Sequence, residues 1–280
     1  MRLPLARLAV LTGALLLAGE ARAWSVAGEW VASHNSRVRL IAAPAAYADG
    51  AMKLTAGVEI VLEPGWKTYW RNPGDAGGVP PEFDWTKSVN VASATVLYPA
   101  PARLVDPLGN SIGYKHVVLF PVTVVPADPN KPLMLDVRLM YGVCEKICIP
   151  EEHELTLKVD PAVASDASVG DAIARALASV PVAQGTNPGV PQYIGLTTDG
   201  TGLIIDTQFP DGTSDAQVFA EALDSAFVPM SDRLAGTGDG HTRFRIDLKK
   251  SDDLKAPSGR KLRLTLVGDD TASEVTATIP

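Results

Sequence analysis

Leu133, Leu135, Val137, Leu139 and Tyr141 fall on every second position, with Met134, Asp136, Arg138 and Met140 between them. A period of two places one set of side chains on a buried face and the other on an exposed face of a β-strand. After an interruption, Leu155, Leu157 and Val159 resume the pattern in a strand running from about His153. The interruption holds Gly142, Cys144, Cys148 and Pro150, which suits a strand that stops, turns and resumes as a hairpin. Residues 52–62, 91–97 and 116–125 are further β-rich runs, the last broken by Pro121, and Asn72-Pro73-Gly74, Gly77-Gly78 and Asp128-Pro129-Asn130 separate such runs as turns. Many short strands without alternating helices predict an all-β chain built as antiparallel sandwiches.

One segment departs from this pattern. Ser168 and Asp171 resemble a capping box, Ile173, Leu177 and Val180 recur at helical spacing, and Pro181 stops the run. Residues 184–191 read as a linker, and residues 192–280 as a second β unit whose first hairpin turns at Asp199-Gly-Thr-Gly. Residues 216–223 fit either a short helix or an irregular strand. The expected organisation is a sandwich over 24–160, a helix and linker over 161–191, and a second sandwich over 192–280.

Residues 1–23 read as a secretory signal, with Arg2 and Arg7 first, an apolar stretch from Leu8 to Ala18, and Ala21-Arg22-Ala23 as the cleavage site. That stretch is too short to span a bilayer, and no later window has the length and apolarity for it. A soluble periplasmic product is therefore expected. The whole chain carries a net charge of −7, and removing the signal makes it more acidic. Such a chain is poorly suited to nucleic acid or anionic lipid.

Cys144 and Cys148 are the only two cysteines, and in an exported protein such a pair is either a disulfide or a dithiol kept reduced by a partner. Closing so small a ring contributes only about 2 kcal/mol in the chain-entropy model, so a structural staple is a weak reason for it. Redox chemistry is the leading reading. Four residues of straight strand span roughly 13 Å, so a bridged pair requires a tight turn, and an exposed turn is where a partner thiol can reach a sulfur. Lys146 between the cysteines favours a thiolate and Glu145 opposes it; which cysteine is attacked stays open. Two alternatives stand beside this one. The cysteines, with Met134, Met140, His116 and His153 nearby in sequence, could take up Cu(I), or the bridge could be structural in a non-catalytic interaction module. His153, among glutamates, reads as a solvated surface residue. Trp66, Tyr69, Trp70 and Trp85 read as core or edge aromatics. Asp75-Ala-Gly-Gly reads as a turn whose glycines let the chain reverse. No serine-hydrolase, zinc-protease or phosphate-loop signature is present, and no cofactor is expected.

Gly65-Trp-Lys-Thr-Tyr-Trp-Arg-Asn-Pro-Gly-Asp-Ala-Gly-Gly78, Gly109-Asn-Ser-Ile-Gly-Tyr114, Leu119-Phe-Pro-Val122 and Tyr141-Gly-Val-Cys-Glu-Lys-Ile-Cys-Ile-Pro150 together resemble the periplasmic N-terminal domain of the thiol:disulfide interchange protein DsbD. The likeness is closest to the two-domain form in the suppressor of copper sensitivity protein ScsB. It covers residues 25–160 well and 190–280 more loosely. The resemblance implies an immunoglobulin-like sandwich acting as a thiol–disulfide oxidoreductase component, with Cys144 and Cys148 as its catalytic pair. The pair would receive electrons from a membrane thiol-electron transporter and reduce periplasmic thioredoxin-like proteins. It also implies a cap loop over the disulfide, at about residues 106–114, with Ile112 or Tyr114 replacing the family's shielding aromatic and with Tyr141 and Lys146 as modulating residues. The cysteine spacing is shorter than in the best-known members. Since the chain ends after its second β unit, the electron donor is expected to be a separate membrane protein.

Overall fold

The computed structural model describes residues 26–43, 46–48, 51–105, 109–160, 166–185, 187–210, 213–236, 238, 240–254 and 257–280. The expected signal segment, residues 161–165 of the connection and residues 106–108 of the cap lie outside these. The N-terminal sandwich packs two mainly antiparallel sheets face to face. One contains, in spatial order, Val31–Ala32, Ser36–Ala42, Ala51–Leu62, Val117–Pro126 and Val91–Val96, with Ala46–Ala48 also paired to Ala51–Leu62. The other runs Cys148–Val159, Leu133–Cys144, Lys67–Tyr69, Ser111–Lys115 and Ala102–Leu104, with Glu82–Asp84 also paired to Leu133–Cys144. Between them Val38, Leu40, Val58, Ile60, Phe120 and Val122 meet Leu135, Val137, Leu139, Tyr141 and Trp70.

The hairpin predicted from alternation forms and is longer than the alternating residues alone. Its register runs unbroken from Leu133↔Val159 to Cys144↔Cys148, so the turn itself is only residues 145–147. Strand phase carries every second residue from Leu133 to Val143 inward and leaves Met140, Gly142 and Cys144 on the outer face.

The helix spans Ala167–Ala178, and its N-cap is Asp166, whose carboxylate accepts the Ser168 backbone N–H at 2.8 Å. Ser168, expected to open a capping box, is inside the first turn instead. Val169 and Ile173 cover Ile41 and Leu119 on the outer face of the first sheet, whereas Leu177 stays 38% exposed. The segment read as part of a connection is therefore packed against the N-terminal sandwich.

The C-terminal sandwich has two four-stranded sheets. One orders Val182–Ala183, Ala272–Thr278, Lys261–Val267 and Gln217–Ala222; the other orders Gln192–Thr198, Gly202–Gln208, Thr242–Asp247 and Asp232–Arg233. Residues 217–222 are a strand, which resolves the helix-or-strand choice. Leu203, Ile205, Val218, Phe244, Ile246, Leu264 and Leu266 fill this second core. Phe219 and Met230 instead point out of it and join the N-terminal core. Among the described residues no helix is long and apolar enough to cross a membrane.

Candidate functional site

Cys144 and Cys148 face each other across the last rung of the hairpin, joined by a disulfide with their Cα atoms 4.2 Å apart. The pair lies on the outer face of the second sheet. Its two residues differ in exposure: Cys144 is 2% exposed, whereas Cys148 is exposed beside Ile147, itself 67% exposed.

Tyr69 completes the site. Its hydroxyl oxygen is 2.8 Å from the Cys144 Sγ and 3.0 Å from the Cys148 Sγ. Bridged sulfurs carry no proton, so the tyrosine is the donor. Local strand pairing brings it there. Val143 pairs with Thr68 and Cys144 with Lys67, which turns Lys67 and Tyr69 to the cysteine face and Thr68 and Trp70 to the core. The Thr68 hydroxyl donates to the Gly142 carbonyl at 2.8 Å and locks this register.

The Tyr69 ring is held in a slot made by missing side chains. A Cβ on Gly78, which has φ +148°, would come within 2.4 Å of the ring, and one on Gly142 would come within 3.3 Å. Gly142 also donates its N–H to the Val79 carbonyl at 2.9 Å, fixing residues 78–79 across the outer face beside the disulfide. Gly78, read from sequence as a chain-reversal residue, thus serves close contact with Tyr69. Lys67 is largely buried and donates to the Ser111 hydroxyl at 2.9 Å, so a second cation besides Lys146 belongs to the cysteine face.

The other expected site residues fall elsewhere. Ile112 and Tyr114 point into the sandwich core, because alternation along Ser111–Lys115 turns Gly113 and Lys115 outward. Neither covers the sulfurs, and the Tyr114 hydroxyl donates to the Pro99 carbonyl at 2.8 Å. Tyr141 is also inside, its hydroxyl 2.7 Å from that of Ser36, and burial pushes its phenol up to about 12. Lys146 is exposed in the turn. His153 is not a solvated surface residue: in phase with Leu155, its side chain is 10% exposed and its ring centroid lies 6.0 Å from that of Tyr141. Met140 and Met134 pair across the hairpin with Glu152 and Lys158. The structure does not gather these groups at the cysteines, and among the described residues no cluster of three or more His, Cys, Asp or Glu side chains is arranged around a metal-sized site.

Sequence reasoning placed Tyr69 among packing aromatics. The one available signal was its position two residues from Lys67 and one from Trp70, but a three-residue strand, Lys67–Tyr69, is too short to display a period.

The site is thus a disulfide at a hairpin turn of an immunoglobulin-like sandwich, joining a buried to an exposed cysteine with one hydroxyl donor over both sulfurs, which suits a thiol–disulfide interchange domain. Residues 37–160 match the family described as thiol:disulfide interchange protein DsbD, N-terminal, so this part of the chain is similar to that domain. The structure is similar to the crystal structure of the N-terminal periplasmic domain of ScsB from Proteus mirabilis. That match has a TM-score of 0.72 at 22% identity and covers 91% of this chain and 98% of the other. The fold likeness thus extends through the C-terminal sandwich. No curated protein matches the chain significantly.

Proposed function

We propose that the protein is a periplasmic thiol–disulfide carrier that moves two electrons at a time through Cys144 and Cys148, from a membrane thiol-electron transporter to thioredoxin-like clients. The observation that carries this reading is the asymmetry of the cysteines: Cys148 is an exposed residue at the turn, whereas Cys144 is buried, and a proton donor lies over their bond. A partner thiolate attacks the Sγ of Cys148, the exposed residue of the pair, in line with the S–S bond. That bond breaks, and Cys144 leaves as a thiolate stabilised by the Tyr69 hydroxyl. The partner's second thiolate then attacks its own sulfur in the mixed disulfide. The partner departs oxidised, and Cys148 leaves as a thiolate that takes up a proton. Two electrons have entered the pair, and the same steps in reverse deliver them to a client disulfide. Ile147, apolar and exposed beside Cys148, gives a partner surface to bury during the encounter.

Trapping tests this assignment. Cys144→Ser leaves the accessible thiol without its resolving partner and is expected to accumulate mixed disulfides with an oxidised thioredoxin-fold protein on non-reducing gels. Cys148→Ser leaves only the buried thiol and is expected to accumulate at least tenfold less. Absence of trapping in both variants removes the carrier role. Equal trapping removes the assignment of Cys148 as the attacked sulfur.

A further inference from the structure

The residues that follow Tyr69 grip the C-terminal sandwich. Trp70, fully buried, packs its ring 5.9 Å from that of Phe219. The Arg71 guanidinium lies 4.2 Å over the Trp70 ring and reaches two carboxylates on separate strands, Glu221 at 2.7 Å and Glu274 at 2.5 Å. The Asn72 amide donates to the Ala220 carbonyl at 3.3 Å, and the Asp75 carboxylate accepts the Met230 N–H at 2.8 Å. Three residues further on, Gly78 lies against the Tyr69 ring. Tyr69 therefore sits on a stretch of chain in which four of the next six residues, Trp70, Arg71, Asn72 and Asp75, contact the other sandwich. Arginine suits this place, because its planar fork can satisfy two carboxylates while its face stacks on an indole.

We propose that Arg71 is a positioning residue for the cysteine pair: by anchoring residues 70–75 to Glu221 and Glu274, it holds the Tyr69 hydroxyl on the sulfurs and lets the C-terminal sandwich set the balance between disulfide and dithiol. This rests on the carrier reading above. In the oxidised protein the hydroxyl meets two weak sulfur acceptors. In the reduced protein it meets a thiolate, to which a hydrogen bond is stronger. A well-placed Tyr69 consequently favours the dithiol, and a displaced one favours the disulfide. The C-terminal sandwich contributes no atom to the reaction; it acts through the placement of one proton.

The test uses the full mature chain equilibrated with glutathione, where two glutathione thiols become one glutathione disulfide and the pair gains two electrons; Cys148 takes one proton, Cys144 stays a thiolate under Tyr69, and the second proton passes to solvent. Tyr69→Phe is expected to shift the equilibrium toward the protein disulfide by about fivefold, the worth of one ordinary hydrogen bond. Arg71→Ala is expected to shift it in the same direction by about threefold or more, Arg71→Lys by less. The decisive measurement is the double variant: Arg71→Ala should add nothing once Tyr69→Phe is present, since both act through the same proton. Multiplicative effects overturn the proposal, as does a destabilised Arg71→Ala protein with the wild-type equilibrium. Should Arg71→Ala not fold, the Glu221→Gln, Glu274→Gln double variant keeps both side-chain shapes and is read against the same criteria. Failure of the wild type to exchange with glutathione at all overturns the carrier reading along with this one. Normal wild-type exchange with unmoved variants overturns only the positioning role.

Discussion

Tyr69 acts through one hydroxyl proton, and the backbone at Gly78 decides whether that proton reaches the sulfurs. The residue sits at φ +148°, and its missing Cβ is the space the aromatic ring occupies. A methyl group there cannot be absorbed by a flexible neighbour, since the ring is 3% exposed and confined by Gly142 and Val79. Gly78→Ala should therefore push the tyrosine off the disulfide and add overpacking strain of about 1–3 kcal/mol. Urea denaturation reads the strain, and the rate of exchange with reduced glutathione reads the displaced hydroxyl. Wild-type values for both would mean that the slot is looser than its geometry indicates. Gly77, next in sequence, has open space at its Cβ position; comparing the two alanine variants separates the close contact at Gly78 from the left-handed backbone they share.

At the scale of elements, the hairpin was legible because its two strands are long enough to show their phase, and that phase carried more than was drawn from it. Leu155, Leu157 and Val159 already place Glu151 and His153 on the inward side; the acidic neighbours Glu152 and Glu154 concealed this, since they belong to the outer face. The direction of Ile112 and Tyr114 is hidden for a related reason: a resemblance locates a segment without supplying its phase, and in Ser111–Lys115 both point inward. Tyr69 was illegible because Lys67–Tyr69 takes its orientation from pairing with Val143 and Cys144, far along the chain. The helix was legible in its apolar spacing, but the surface it covers was not. Ile173, 2% exposed, lies on the outer face of the first sheet, whereas the cysteines lie on the outer face of the second. Ile173→Ala should cost about 2–4 kcal/mol yet leave glutathione exchange of the folded protein unchanged. A large change in exchange would show that the two outer faces are coupled through the core.

At the scale of the molecule, the two sandwiches share part of one core. Phe219, 2% exposed, lies on a strand of the C-terminal sandwich but buries its ring against Trp70, and Met230 follows it into the same cluster. Around them Arg71, Asn72 and Asp75 supply polar contacts, and Arg103 donates to the Ser231 carbonyl and lies 3.5 Å from Asp232. A junction with an apolar centre ringed by polar contacts couples the stabilities of the units it joins, so the protein should unfold in a single transition. The chain offers a way to see this, because all five tryptophans precede residue 86. Tryptophan fluorescence therefore reports the N-terminal sandwich and, through Trp70, the junction, while far-ultraviolet circular dichroism reports strands of both sandwiches. In the wild type the two signals should coincide through a urea titration. Phe219→Ala removes the apolar centre, costs about 3–5 kcal/mol, and should separate the curves. Separated curves in the wild type would mean that the sandwiches fold independently; coincident curves in Phe219→Ala would move the coupling to the polar contacts of Arg71, Asn72 and Asp75.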